Sequence, residues 1–155
     1  MYFWESSIHR AERFAKDRSI ENYCVIGAAI HLGYCLDLLE SESLTYLSVS
    51  YRTLLKTLET AGTPLPKNKE GEGSSSGDLL LRDLDCAVIN FIHSQRESDG
   101  LRAYDSVRGV FWEGKELYPN AGFKEKNHIQ ICIRNPNCVK GFFWPRQENK
   151  KFEMA

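Results

Sequence analysis

The sequence predicts an α+β protein, and three stretches carry that prediction. Asn127-His128-Ile129-Gln130-Ile131-Cys132-Ile133-Arg134 alternates polar and apolar residues strictly, the period of a β-strand. Leu44, Leu47, Tyr51, Leu54, Leu55 and Leu58 recur at helical spacing. Tyr2-Phe3-Trp4-Glu5 has high strand propensity and passes through Ser6-Ser7 into the amphipathic turn Ile8–Ala15. Ser6 or Ser7 is placed to cap that helix.

At 155 residues the chain fits one domain with a substantial core. Hydrophobic residues make up 42% and charged residues 26%, the balance of an ordinary globular protein. A net charge of −1 gives no electrostatic footprint for nucleic acid or an anionic membrane. No apolar run is long enough to cross a bilayer and no signal-peptide pattern opens the chain, so the expected compartment is the cytoplasm, with no membrane partner. The five cysteines are Cys24, Cys35, Cys86, Cys132 and Cys138, odd in number and without a Cys-x-x-Cys pair. Neither a zinc site nor a disulfide framework is indicated, and four of them sit in apolar stretches, as buried reduced cysteines do. Nucleophile-elbow, phosphate-loop and dinucleotide-fold glycine signatures are missing.

In chain order, Tyr23–Leu32 reads as a near-continuous apolar strand with both faces covered, in which Gly27 marks a close backbone approach or a bulge. Gly33 ends it, and Cys35–Leu38 is a short extended piece. A helix follows, capped by Ser41 or Ser43 and stopped by Gly62 and Pro64. Residues 63–77, with two prolines, three glycines and a triple serine, read as a flexible surface loop inside one domain. Asp78 is placed to cap the next helix, whose buried face is Leu80, Leu81, Leu84, Ala87, Val88, Phe91 and Ile92. Asp85, beside that face, needs Arg82 or a backbone amide if buried. His93 falls where a cation suits the helix dipole. Tyr104–Phe111 reads as a strand, Lys115–Lys126 as a loop packed on the body, and Cys138–Trp144 as the last strand. The domain spans 1–146, with a frayed tail at 147–155.

The N-terminal stretch also carries a family resemblance. Tyr2-Phe3, followed after a polar gap by Arg10-Ala11 and Phe14-Ala15, resembles a strand and helix of the ADP-ribosyltransferase fold, in its poly(ADP-ribose) polymerase and diphtheria-toxin branch. Asp105-Ser106-Val107-Arg108-Gly109-Val110 is similar to a late motif of an uncharacterised bacterial subgroup. Asn127-His128-Ile129-Gln130-Ile131 is similar to the strand bearing that family's catalytic Glu. The resemblance implies split antiparallel β-sheets with a helical insertion, and NAD as substrate. It makes Tyr2 and Phe14 the two rings that hold nicotinamide, with His128 and Gln130 at the catalytic position beneath the ribose. It gives the Lys115–Lys126 loop the task of meeting an acceptor, protein or nucleic acid.

The pattern departs from the family in two places. The family's earlier strand and the Gly before Tyr2 have no counterpart, so the fold reads as entered part-way through. His128 stands where members carry Glu, and neither neutral His nor Gln supplies the negative charge that stabilises a developing oxocarbenium centre. Glu113 and Glu125, in or beside the acceptor loop, are the candidates to supply a carboxylate. Transferase activity is therefore an open expectation beside NAD binding. The alternative is a non-catalytic interaction domain or mobile-element remnant that associates through an exposed sheet edge. On that alternative the aromatics are core packing and His128 and Gln130 a polar stripe facing solvent.

Overall fold

The computed structural model describes residues 1–70 and 78–146. The chain runs β1 (Tyr2–Trp4), α1 (Ile8–Asp17), β2 (Gly27–Ile30), β3 (Cys35–Asp37), α2 (Ser41–Thr60), α3 (Asp83–Ser98), β4 (Ser106–Phe111), β5 (His128–Ile133) and β6 (Val139–Phe143). It is an α+β architecture. One sheet has the order β1-β5-β4-β3, and β2 pairs with β6 in a second. The low-complexity half of the expected loop and the expected tail at 147–155 lie outside the described residues.

The first sheet is antiparallel except where β3 runs parallel to β4. That exception follows from connectivity: α2 and α3 lie between the two strands, and a helical crossover returns the chain in its original direction. β5 and β6 are consecutive in sequence yet do not pair. A 3-10 turn at Pro136–Cys138 diverts the chain, and Asp105 anchors the diversion. The Asp105 backbone carbonyl accepts from the amides of Arg134 and Asn135, and its carboxylate accepts from Asn135 Nδ2 at 2.8 Å.

The alternation in β5 sorts its residues onto two faces, and both are covered. Ile131, Ile133 and Cys138 form one core with Phe3, Ile30, Leu32 and Val139, between the two sheets. Leu36, Ile92 and Val107 form the other, with Leu47, Ile89 and Cys132, between the first sheet and the helix pair. The polar face of β5 is therefore not a solvent stripe: His128 is 8% exposed. Gly27 meets the close approach its position implies, since a Cβ there would run into the Phe143 ring.

The helix termini differ from expectation in instructive ways. Ser7 caps α1, accepting from the Arg10 amide at 3.3 Å. Neither Ser41 nor Ser43 caps α2, which begins at Ser41 after an extended Glu40. Gly62 stops α2 in the left-handed region at φ 65°. The helix α3 starts at Asp83 rather than near Asp78. Its cap comes from far away: Asn68 Oδ1 accepts from the amides of Leu84 at 2.9 Å and Asp85 at 3.3 Å. Leu80 and Leu81 precede the helix and are exposed, while Val88 and Ile92 are buried as expected. Asp85 pairs with Arg82 at 3.6 Å and accepts from Asn68 Nδ2 at 3.0 Å. Asp78 is instead buried, holding the Gly114 amide and the Lys124 ammonium.

Candidate functional site

Two neighbouring features, separated by α1, contain the residues singled out from sequence. The first is a cavity of about 830 Å³ walled by β1, α1, the segment 20–28 and the end of β6. Ser6, at φ 49°, reverses the chain after β1, so α1 folds back over Trp4. Phe14, in the second turn of α1, then packs on the Trp4 ring with centroids 5.0 Å apart. Tyr2 and Phe14 both line this cavity, yet the ring that touches Phe14 is Trp4. Tyr2 sits two residues, roughly 6.6 Å, further along the strand. It is 70% exposed, and its hydroxyl is pushed above its usual range chiefly by the Cys132 thiol. Trp4 and Phe14 are in mutual contact, so they form an aromatic platform rather than a two-sided slot. Arg18 covers part of Phe14, its guanidinium carbon 5.6 Å from the ring centroid.

Among the described residues the charged lining of the cavity is Glu5 and Arg146. Glu5 is fixed by Arg108, whose Nε and Nη2 donate to its two oxygens at 2.8 and 3.2 Å. Arg108 Nη1 also donates to Asp37 at 3.0 Å. Two carboxylates around one half-buried guanidinium hold its pKa above the ordinary value, Glu5 first.

The second feature surrounds His128 and Gln130, which do not line the cavity. The imidazole stacks on Phe111 with centroids 5.5 Å apart, and the Arg82 guanidinium carbon lies 4.4 Å from the Phe111 centroid. His128 Nδ1 lies 2.6 Å from the Lys126 carbonyl, which can only accept, so Nδ1 carries the proton. Nε2 is then an acceptor and takes the Gln130 amide at 2.8 Å. Both ring nitrogens are used inside the protein. Burial holds the imidazole pKa below its usual value, offset in part by the Lys126 carbonyl and Glu113. Arg10 lies beside the ring, its Nε 3.3 Å from Nδ1, and its Nη2 donates to Glu113 at 2.7 Å.

Sequence reading missed how α1 holds the two features together. Its outer face presents Arg10, Arg13 and Asp17, which pair with Glu113, Glu125 and Lys126 at 2.7, 2.9 and 2.7 Å. The Lys126 hydrogen bond holds the Asp17 carboxyl below the usual range. The spacing of Arg10, Arg13 and Asp17, at i, i+3 and i+7, was the available signal for one charged helix face. Glu113 and Glu125 are consumed by these pairs and do not reach the cavity.

Two other expectations are corrected. His93 is no dipole-stabilising cation: it is 9% exposed, neither nitrogen has a partner among the described residues, and burial drives its pKa to about 4. Cys24 and Cys86 are exposed free thiols, while Cys138 is buried. Among the described residues, no group of three His, Cys, Asp or Glu side chains is placed to hold a metal ion, and no helix is long and apolar enough to cross a membrane.

The fold and site define the class of the chain: an α+β protein with two sheets, a helix pair inserted between β3 and β4, and an aromatic cavity beside its N-terminal strand. It is similar to an uncharacterised protein of Methanocaldococcus jannaschii, 23% identical over 165 aligned positions that take in 93% of this chain and 71% of that one. No family model matches the chain, and no solved structure matches it.

Proposed function

We propose that the chain is an NAD-binding protein of the ADP-ribosyltransferase type, with the nicotinamide end of the nucleotide held in the cavity beside β1. The observation that carries this reading is the Trp4–Phe14 pair, two rings in contact and tilted 48° to each other, on one wall of a cavity of about 830 Å³. That volume lies in the range of small-molecule and cofactor sites, and a flat pyridine ring stacks well on such a surface. The order of the motifs in the chain supports the same reading. Tyr2 borders the ligand rather than sandwiching it, and Phe14 contributes to the platform.

Binding and transfer separate in this reading. Transfer of ADP-ribose needs negative charge near the ribose as nicotinamide leaves. His128 is neutral at physiological pH in its buried setting, and its nitrogens are bonded to Lys126 and Gln130. His128 and Gln130 therefore hold the 113–126 loop to β5, and the function is nucleotide binding. Calorimetry with NAD on the whole chain tests it: saturable binding that weakens about 2- to 10-fold in Phe14→Ala is expected, since losing one aromatic contact removes about 0.5–1.5 kcal/mol. Incubation with labelled NAD and cell lysate tests transfer separately, and release of free nicotinamide would restore the enzymatic version.

A second reading has its own observation. Phe142 and Trp144, at the end of the two-stranded sheet, are 62% and 71% exposed. Exposed aromatics on a short edge favour association with another protein, and light scattering that stays strictly monomeric at high concentration would remove this reading.

A further inference from the structure

We infer that the end of the first sheet where β3 and β4 begin binds single-stranded nucleic acid, a base stacking on the Arg102 guanidinium while Arg96 and Arg134 receive adjoining phosphates. None of these residues lines the cavity beside β1. Gly33, at φ 65°, turns the chain into β3 where the Asp105 side chain leaves no room for a Cβ. That turn ties Tyr34 to Asp105: the Tyr34 amide donates to Asp105 Oδ2 at 2.8 Å, and its carbonyl accepts from the Asp105 amide at 2.7 Å. Tyr34 and Tyr104 then stack, with centroids 4.6 Å apart and planes 13° apart. The guanidinium carbon of Arg102 lies 5.0 Å from the Tyr34 centroid, and that of Arg96 lies 4.6 Å from the Tyr104 centroid. Arg102 Nη2 also donates to Asp105 at 3.1 Å. Ring and carboxylate together orient a guanidinium whose side chain is 69% exposed. A planar cation held this way and open to solvent is a stacking surface for an unpaired base.

The phosphate contacts come from charge left uncompensated. Arg96 Nε donates to the Arg102 carbonyl at 2.8 Å and its Nη2 to the Tyr34 hydroxyl at 3.4 Å, both neutral acceptors. Arg134 is exposed, and its backbone amide bonds to the Asp105 carbonyl at 2.9 Å. Burial first, then the charges of Arg134 and Arg96, hold the His93 pKa at about 4, so both arginines converge on that neutral ring. Among the described residues neither arginine pairs with a carboxylate, and Glu97 and Asp99, beside Arg96 in the chain, pair with none of the three. The Asp105 carboxylate already accepts from Tyr34, Arg102 and Asn135. Three guanidiniums around one satisfied carboxylate make a local cationic patch that the whole-chain charge of −1 conceals. Guanidinium groups match phosphate through paired N–H donors. A stacking surface beside such cations suits a single strand, whose bases are free to splay. A duplex keeps its bases stacked inside, and a phosphoserine peptide has no ring to lay on Arg102.

Fluorescence anisotropy of a labelled single-stranded RNA of about eight nucleotides, titrated with the whole chain, tests this. Saturable binding with a dissociation constant of about 1–100 μM near physiological salt is expected, weakening as salt rises. Arg102→Lys keeps the charge and removes the plane, so it should weaken binding about 5-fold or more while the salt dependence stays as in wild type. Arg134→Gln should lower the slope of log affinity against log salt by about 0.7, the share of one phosphate contact on a single strand. Phe14→Ala should bind the RNA as wild type does, which keeps this site separate from the nicotinamide cavity; flat titrations with NAD would leave it standing. No saturable RNA binding by wild type overturns the inference, as does Arg102→Lys binding equal to wild type. A duplex of the same length, or a phosphoserine peptide of equal charge, bound as tightly as the single strand overturns it too. Loss of RNA binding in Phe14→Ala would put the strand in the cavity beside β1 and also overturn it. If Arg102→Lys unfolds by circular dichroism, Arg134→Gln, at an exposed position, decides through its salt slope, and an unchanged slope counts against the site.

Discussion

Replacing Asn68 by alanine should destabilise α3 from a position outside the helix. Asn68 Oδ1 accepts from two of the four N-terminal amides that have no partner within a helix, those of Leu84 and Asp85, and its Nδ2 donates to the Asp85 carboxylate. Arg82, at the cap position itself, contributes no side-chain bond. Removing a cap costs about 0.5–2 kcal/mol, and the bond to an ionised Asp85 places the effect in the upper half of that range. In a chain of this length that corresponds to about 2–8 °C in Tm. Urea denaturation followed by circular dichroism measures it. The companion Asn68→Asp keeps the acceptor and adds favourable charge at a helix N-terminus, but replaces a donor 3.0 Å from Asp85 by a second carboxylate. Its stability should lie below wild type at neutral pH. An Asn68→Ala change within 0.3 kcal/mol of wild type would refute the long-range cap.

Further outcomes follow from the same geometry. Ile92→Ala, at a fully buried site in the helix-side core, should cost about 2–5 kcal/mol in chemical denaturation. His93 has a folded pKa of about 4 against an ordinary 6.5, so the unfolded chain binds the extra proton between those values. Stability should therefore fall as pH drops through that window, by up to about 1.4 kcal/mol per pH unit, and His93→Phe should flatten the slope; equal slopes would contradict the assignment. Arg10→Gln should loosen the 113–126 loop, read as faster amide exchange in that segment, because it removes the innermost of three ion pairs to α1.

Much of the fold is legible because local pattern and tertiary context agree. The Ile129-Ile131-Ile133 alternation places Ile131 and Ile133 in a core, and Gly62 stops α2 at a positive φ. Where the reading diverges, the deciding contact is distant in sequence. Asn68 caps α3 from 16 residues away, and no local spacing marks it. The polar face of β5 reads as solvent-facing until Arg10 and Glu113, 118 and 15 residues distant, close over His128. In the candidate site, Tyr2 and Phe14 line one cavity, but strand register and the reversal at Ser6 put Trp4 under Phe14. His128 and Gln130 share the strand, not the cavity. Glu5, beside an obvious aromatic run, carries no sequence signal, because its fixed orientation comes from Arg108 two strands away in the sheet.

The most direct measurement of the central claim is the binding isotherm of NAD on the whole chain, beside Phe14→Ala. The aromatic pair requires a saturable isotherm for the native chain and an affinity about 2- to 10-fold weaker in the variant. Flat titrations with both proteins, or identical affinities, would show that the cavity beside β1 does not receive a nicotinamide nucleotide.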